Sequence, residues 1–210
     1  MSEKIFVAVA GNIGVGKSTL TEKLSARLGW TPFFEAVDDN PYLADFYQDM
    51  QRWSFHSQIY FLSRRLRHHK DLMAHPGPVV QDRTVYEDAE IFAANLYRQG
   101  HMLPRDYRSY RELYEVMVEL LPPPDLLIYL KASVPTLLRR IAKRGRDFER
   151  DIAPEYLTRL NELYNAWIDS FTLCPVLTLD ADRLNFVRYP AHFEEIVRRV
   201  TERLNLSAPA

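Results

Sequence analysis

Short apolar runs alternate with longer, mixed segments along this chain. The apolar runs are three to six residues long and predict β-strands over residues 5–10, 31–35, 79–81, 126–131 and 176–180. Runs with so few polar residues are typical of strands that are buried on both faces of a parallel sheet.

The mixed segments carry apolar residues three or four positions apart, which indicates helices with one apolar face. Proline and glycine mark where several of them end. The predicted helices cover residues 17–28, 42–47, 53–74, 86–98, 105–121, 134–144, 154–171 and a last segment that ends near residue 204. Strands that alternate with helices predict an α/β fold, in which helices cover both faces of a parallel sheet. Ligands of such folds bind beyond the carboxyl ends of the strands, so functional residues are expected there.

The composition is that of an ordinary globular domain, with 47% hydrophobic and 26% charged residues in a chain of 210. We therefore expect a single domain over residues 1–210. The formal net charge is -1, which leaves no general basic excess. Since proteins that bind nucleic acids usually carry such an excess, no nucleic-acid partner is expected.

Cysteine usage and hydropathy indicate the compartment. Cys174 is the single cysteine, so an intrachain disulfide is impossible, and the six histidines are too scattered for a structural zinc site. No apolar stretch has the length of a signal-peptide core or of a membrane span. The expectation is a soluble, cytoplasmic protein without a membrane partner.

The strongest local motif follows the first predicted strand and opens the first predicted helix. It reads Gly, four residues, Gly-Lys-Ser, which is the pattern of a phosphate-binding loop. Glycines let the backbone approach phosphate oxygens, lysine adds a positive charge, and the serine hydroxyl can bind Mg²⁺. The predicted nucleotide-binding residues are Gly11, Asn12, Ile13, Gly14, Val15, Gly16, Lys17, Ser18 and Thr19.

A phosphate loop occurs in GTPases, ATPases and kinases alike. The chain lacks an Asn-Lys-x-Asp guanine signature and an Asp-x-x-Gly switch, so a small kinase is favoured over a GTPase. Glu35, at the end of the second predicted strand, indicates which kind of acceptor the kinase would use. A carboxylate can take the proton of an attacking hydroxyl, whereas it would repel an acceptor that is already a phosphate. Glu35 thus favours a nucleoside acceptor, although a solvated glutamate is the plain alternative.

Asp82 and Arg83 end the third predicted strand, again at the expected functional edge. An aspartate there can hold Mg²⁺ through water, and an arginine can stabilise the transferring phosphoryl group or orient Glu35. A surface ion pair is the alternative.

Two predicted helices carry polar residues within their apolar faces. Gln58 and Arg65 lie on one, and Asp88 and Phe92 lie on the other. Such a set suits a nucleobase, since an amide, a guanidinium and a carboxylate can read its edge while the ring stacks. A structural Arg65–Asp88 bridge is the equally plain interpretation.

A dense basic run ends the helix over 134–144, where Arg140 and Arg144 share a face. These arginines would form a lid that neutralises phosphate charge, with Gly145 as its hinge. The alternative is a basic helix end that complements the helix dipole.

Taken in order, these segments resemble those of the deoxynucleoside kinase family, and most closely the bacterial deoxyadenosine and deoxycytidine kinases. The resemblance covers nearly the whole chain. It rests on residues 11–19, 35 with 40–43, 52–56, 58–62, 79–84 with 86–88, 144–146, 165–167 and 174–177.

The resemblance implies a five-stranded parallel sheet, a P-loop kinase with an arginine-rich lid, and a homodimer. It implies ATP as phosphate donor, Mg²⁺ bound near Ser18 and Asp82, and a deoxynucleoside acceptor, with deoxyadenosine favoured over deoxycytidine and deoxyguanosine. The Arg65–Asp88 pair is absent from relatives that prefer thymidine. The implied catalytic residues are Lys17, Glu35, Asp82 and Arg83. The base would be bound by Gln58, Arg65, Asp88 and Phe92, and the sugar by Tyr47 and Glu149. The lid would be formed by Arg140, Arg144 and Arg146.

Two other functions stay open from the sequence. A nucleoside monophosphate kinase of similar fold is the first, and Glu35 is the feature against it. A catalytically silent structural subunit is the second, but it would be expected to have lost Lys17, Ser18, Glu35 or Arg83, and all four are present. Thr84 stands where many family members have serine, and Asn40 stands where some have a pocket tryptophan.

Overall fold

The computed structural model describes residues 4–34, 40–146 and 152–206. The chain divides into two compact units. The first takes Met1–Phe34, Pro76–Arg83 and Pro124–Ala210, and the second takes Glu35–His75 and Thr84–Pro123.

A five-stranded sheet forms the centre of the first unit, with the strand order β2-β3-β1-β4-β5. Every neighbouring pair is parallel, which confirms the predicted α/β fold. Val9 of β1 lies opposite Asp82 of β3 on one side and opposite Ile128 of β4 on the other. The strands are β1 Phe6–Gly11, β2 Thr31–Phe33, β3 Val79–Asp82, β4 Leu126–Lys131 and β5 Val176–Asp180.

The middle of this sheet is buried on both faces. All six residues of β1 and all four of β3 are buried. Because successive side chains of a strand point to opposite faces, both faces of these strands must be covered. This explains why the strands read as continuous apolar runs rather than as alternating ones.

The helices of the first unit are α1 Lys17–Leu28, α7 Val134–Arg144, α8 Pro154–Ser170 and α9 Pro190–Arg203. Proline stands in the first turn of α7, α8 and α9, where its missing N–H costs no helical hydrogen bond. Gly29 and Gly145 end α1 and α7 in the left-handed conformation, as glycine does after many helices.

The described part of the second unit consists of helices and their connecting turns. Its helices are α2 Leu43–Gln48, α3 Met50–Ala74, α4 Val85–Glu87, a π-helical segment Asp88–Ala93, α5 Ala94–Arg98 and α6 Pro104–Leu120. The helix predicted over 86–98 is therefore present but interrupted by π-helical hydrogen bonding. Thr84 caps α4 in a capping box with Glu87, so threonine fills the role of a serine there.

Helix α3 begins three residues before the predicted start at residue 53. The Asp49 side chain accepts a hydrogen bond of 3.1 Å from the backbone N–H of Arg52, which caps the helix at that point. Across the described residues, no helix combines the length and the apolar character that a membrane span requires.

Candidate active site

The loop between β1 and α1 is shaped by glycines that no other residue could replace without strain. Gly11, Gly14 and Gly16 all have positive φ angles, of 146°, 78° and 105°. A Cβ atom on Gly11 would lie 2.6 Å from the carbonyl oxygen of Leu130, and one on Gly14 would lie 2.7 Å from Cγ1 of Ile141. The loop thus packs closely on β4 and α7, and the N-terminus of α1 follows it directly.

Lys17 lies across this loop. Its buried ammonium group donates to the carbonyl oxygens of Gly11 at 2.8 Å and Asn12 at 3.2 Å. These bonds hold the positive charge over the concave face of the loop, where a phosphate-binding loop needs it.

Two asparagines connect the phosphate loop to α8 and to the end of β4. The side-chain amide of Asn12 donates to Asn161 Oδ1 at 2.8 Å and to the carbonyl of Leu157 at 3.0 Å, both on α8. The Asn161 amide in turn donates to the carbonyl of Ala132, just after β4. Asn161 was not singled out from the sequence, because its link to the loop spans 149 residues.

Ser18 and Asp82 meet at the carboxyl edge of the sheet. The Ser18 hydroxyl donates to Asp82 Oδ2 at 2.5 Å, and the other carboxylate oxygen, Oδ1, is buried without a hydrogen-bond partner among the described residues. A hydroxyl beside a carboxylate with an unused oxygen is a donor set that Mg²⁺ prefers. The described residues contain no cluster of three or more histidine, cysteine or acidic side chains that could hold a metal ion.

Arg83 follows β3 with an unusual backbone. Its φ angle is 66°, and among the described residues only Asn205 shares a positive φ outside glycine. Left-handed backbone costs an L-residue free energy, so the surrounding fold must hold Arg83 in place. Its backbone N–H donates to the carbonyl of Val9 at 3.0 Å, which continues the ladder between β3 and β1.

A basic cavity of about 840 Å³ opens beside the phosphate loop. Arg144 and Arg146, two of the predicted lid arginines, line it. Residues 185–188, after β5, form another part of its wall. The sequence named no binding residue in this loop because its composition has no recognisable pattern. Its remaining lining comes from residues 14–19, Arg139, Arg140, Lys143 and Asp182.

Arg140, also predicted as a lid residue, forms hydrogen bonds to two loops. Its guanidinium donates to the carbonyl of Val15 at 2.6 Å and to the carbonyl of Ala181 at 2.8 Å. It therefore joins the phosphate loop to the segment after β5, in addition to lining the cavity.

Asp182 supports the same connection. It accepts from the backbone N–H of Ser133 at 2.9 Å and from the Ser133 hydroxyl at 3.1 Å. Partial burial alone would raise the pKa of Asp182, but hydrogen bonds from Thr136 and Ser133 and the charge of Arg140 lower it below its ordinary value. The carboxylate is therefore ionised and bonded at neutral pH.

The second unit contains a buried ion pair on the predicted base-binding helices. Arg65 Nε lies 3.1 Å from Asp88 Oδ2, and the two side chains are each 4% exposed. Gln58, also on α3, is buried, and Phe92 in the π-helical segment is half-buried. Tyr47, the predicted sugar-binding tyrosine, is exposed on α2. Glu35 and Glu149 lie outside the described residues.

The family model described as deoxynucleoside kinase matches residues 7–205 of the chain. The chain belongs to the deoxynucleoside kinase family. It is 43% identical over 196 residues to a deoxyadenosine/deoxycytidine kinase of Bacillus subtilis, an alignment that covers 92% of this chain and 90% of that protein. It is 36% identical over 210 residues to a deoxyguanosine kinase of the same organism, covering 96% and 99%.

A solved structure of a deoxynucleoside kinase has the same fold. Deoxyadenosine kinase from M. mycoides, solved with the products dCMP and dCDP, superposes with a TM-score of 0.84 at 32% identity, covering 94% of this chain and all of that one. The chain is accordingly a phosphotransferase that acts on deoxynucleosides, as its resemblance to the family implied.

Proposed function

We propose that this deoxynucleoside kinase transfers the γ-phosphate of ATP to the 5′-hydroxyl of deoxyadenosine, with deoxycytidine and deoxyguanosine as slower acceptors. The observation that supports an acceptor other than thymidine is the buried Arg65–Asp88 pair, with the buried Gln58 on the same helix as Arg65. The pair does not separate adenine from cytosine or guanine, and the relatives described as deoxyadenosine kinases support placing deoxyadenosine first. A buried ion pair is costly unless every donor and acceptor is used. The presence of such a pair on these helices therefore favours a ligand with polar groups.

The first unit supplies the groups for the donor. Backbone N–H groups of residues 11–19 and the Lys17 ammonium would bind the outer phosphates of ATP. Arg144 and Arg146 would close over the same phosphates as a lid, and Arg140 would hold the phosphate loop and the loop after β5 together. The cavity wall at residues 185–188 would take the base end of the nucleotide.

Ser18 and Asp82 would hold Mg²⁺, which neutralises charge on the β- and γ-phosphates when it is bound. The unused Asp82 Oδ1 gives this proposal its physical basis. Asp82 would act through a bound water, and it would also assist the acceptor hydroxyl.

Glu35 would be the general base. Its carboxylate would accept the 5′-hydroxyl proton as the oxygen bonds to the γ-phosphorus and the bond from phosphorus to the bridging oxygen of ADP breaks. Arg83, fixed by its strained backbone, would stabilise the charge of the transferring phosphoryl group. Tyr47 and Glu149 would bind the 3′-hydroxyl of the sugar.

The base would be read by donors and acceptors on α3 and the π-helical segment. Adenine and cytosine both present an amino group beside a ring nitrogen. The amino group would donate to the Asp88 carboxylate, and the ring nitrogen would accept from the Arg65 guanidinium. Gln58 would add a paired contact, and Phe92 would stack on the ring. The names of similar proteins, which include deoxyadenosine, deoxycytidine and deoxyguanosine kinases, support purines and cytosine as a class.

We further propose that residues 1–210 act as one kinase domain, that the protein is a homodimer, and that it works in the cytoplasm, where ATP is available. An exposed apolar stripe on α6, formed by Leu113, Val116 and Leu120, supports self-association. Sedimentation equilibrium would test the dimer, which a monomer at micromolar concentration would contradict.

The experiment for base preference is a panel of the four deoxynucleosides, each offered with ATP and Mg²⁺ at a range of concentrations. We expect the highest kcat/KM for deoxyadenosine and measurable transfer to deoxycytidine or deoxyguanosine. Thymidine should be the poorest acceptor. A preference for thymidine would contradict the assignment of Arg65 and Asp88 as base-reading residues.

A further inference from the structure

One tyrosine hydroxyl in the second unit has no evident structural use. Tyr110, in the middle of α6, has a fully buried side chain, and its hydroxyl has no hydrogen-bond partner within the described part of the chain. Burying a hydroxyl without a partner costs free energy, and phenylalanine would fill the same volume without that cost. A buried orphan donor of this kind calls for an explanation.

Tyr110 lies on a helix that packs against the two elements carrying the proposed base-reading residues. Helix α6 packs against α3, which carries Arg65, and against the π-helical segment, which begins at Asp88. The charged groups that act on the phenol are the Asp88 carboxylate and the guanidinium groups of Arg111 and Arg65. Burial, and then the negative charge of Asp88, raise the pKa of Tyr110 well above its ordinary value, so the phenol keeps its proton and remains a donor.

The Asp88 carboxylate can accept several hydrogen bonds at once. Both of its oxygens accept from Arg65, at 3.1 Å from Nε and at 3.5 Å from the terminal nitrogen. The longer bond is at the limit of hydrogen-bonding distance. An ionised carboxylate offers about four acceptor positions, so it can bond Arg65, a ligand amino group and a phenol at once. If the Arg65 guanidinium turned toward a base, its hydrogen bonds to the Asp88 carboxylate would weaken.

We propose that Tyr110 is a positioning residue for base recognition, whose hydroxyl supports the Asp88 carboxylate when that carboxylate accepts a hydrogen bond from the amino group of the nucleobase. This inference rests on the proposed function, because it takes Asp88 as the acceptor for the base. Tyr110 itself touches no substrate and acts through Asp88.

Tyr110→Phe tests the inference because it removes only the hydroxyl. We expect the KM for deoxyadenosine to rise by about fivefold, from loss of one hydrogen bond to a charged group. The KM for ATP and kcat at saturation should stay within about twofold. The thermal midpoint should stay the same or rise, because an unpartnered buried hydroxyl is lost.

A substrate analogue separates this role from a general packing effect. Purine 2′-deoxyriboside has no amino group to offer to Asp88, so its KM should be the same for the wild type and Tyr110→Phe. Tyr114→Phe is the matched control, because Tyr114 is also buried on α6 but its hydroxyl bonds to Glu90. That control should leave the ratio between the two substrates unchanged.

The possible outcomes are distinct. Equal rises in KM for both nucleosides, or no rise for deoxyadenosine, would refute the role of Tyr110 while leaving the kinase assignment intact. Absence of transfer to any deoxynucleoside by the wild type would refute the proposed function, and the inference with it. A rise confined to deoxyadenosine in Tyr110→Phe alone would establish Tyr110 as a positioning residue.

Discussion

Individual side chains at the carboxyl edge of the sheet have surroundings that explain their predicted chemistry. Ser18 and Asp82 hydrogen-bond each other, although they are 64 residues apart in the chain, and Lys17 donates to two loop carbonyls. Arg83 is held at a φ of 66°, a conformation that non-glycine residues adopt mostly where the fold enforces it. These features support a site assembled for phosphate chemistry.

Glu35 is the residue expected to take the proton of a hydroxyl acceptor. Glu35→Gln removes the base but keeps the size of the side chain, so we expect kcat to fall by about a hundredfold or more while the KM for deoxyadenosine changes little. Steady-state kinetics would measure both values. Glu22→Gln, at an exposed position on α1, serves as the control and should behave as the wild type. An unchanged kcat in Glu35→Gln would remove Glu35 as the base.

Among the elements, the phosphate loop depends on close packing against α7. Gly14 leaves no room for a side chain, because Cγ1 of Ile141 and the carbonyl of Leu137 would lie 2.7 Å and 3.1 Å from a Cβ atom. Arg140, on the same helix, holds the carbonyl of Val15. The middle of α7 therefore supports the loop.

Gly14→Ala tests this packing. The added methyl group must displace Ile141 or the loop, and its φ of 78° is strained for alanine, so the KM for ATP should rise by about tenfold or more. Gly29→Ala is the matched control, since its φ is 68° but no atom lies within 4 Å of the added Cβ. The control should lose about 1 kcal/mol of stability through backbone strain and keep its KM for ATP. Equal KM values in the two variants would contradict a role for the close contact.

Element boundaries were predictable where local signals are strong. The strand Leu126–Lys131 and the helix Val134–Arg144 agree with the sequence prediction to the residue, because proline and glycine flank them. The start of α3 was missed because Asp49 caps it one turn earlier than the apolar pattern begins. The π-helical segment was missed because nothing in its composition distinguishes it from an α-helix.

At the scale of the whole molecule, the strand order could not be read from the sequence. It decides which strand ends become neighbours, and here it pairs β1 with β3, so that Ser18 and Asp82 meet. The contacts of Asn12 with Asn161 and of Arg140 with Ala181 depend on the same tertiary arrangement. Local motifs therefore predicted the phosphate loop and the edge that carries the site, but not the residues that hold that loop from α7 and α8.

The acceptor of this kinase should be a nucleoside rather than a nucleotide. The most direct test offers deoxyadenosine and its 5′-monophosphate, in separate reactions, to the protein with ATP and Mg²⁺, and measures the initial rate of ADP formation together with the phosphorylated product. We predict that deoxyadenosine is converted to its 5′-monophosphate and that the monophosphate is a poor acceptor. Efficient conversion of the monophosphate to the diphosphate, with no reaction of deoxyadenosine, would show that the acceptor is a nucleotide.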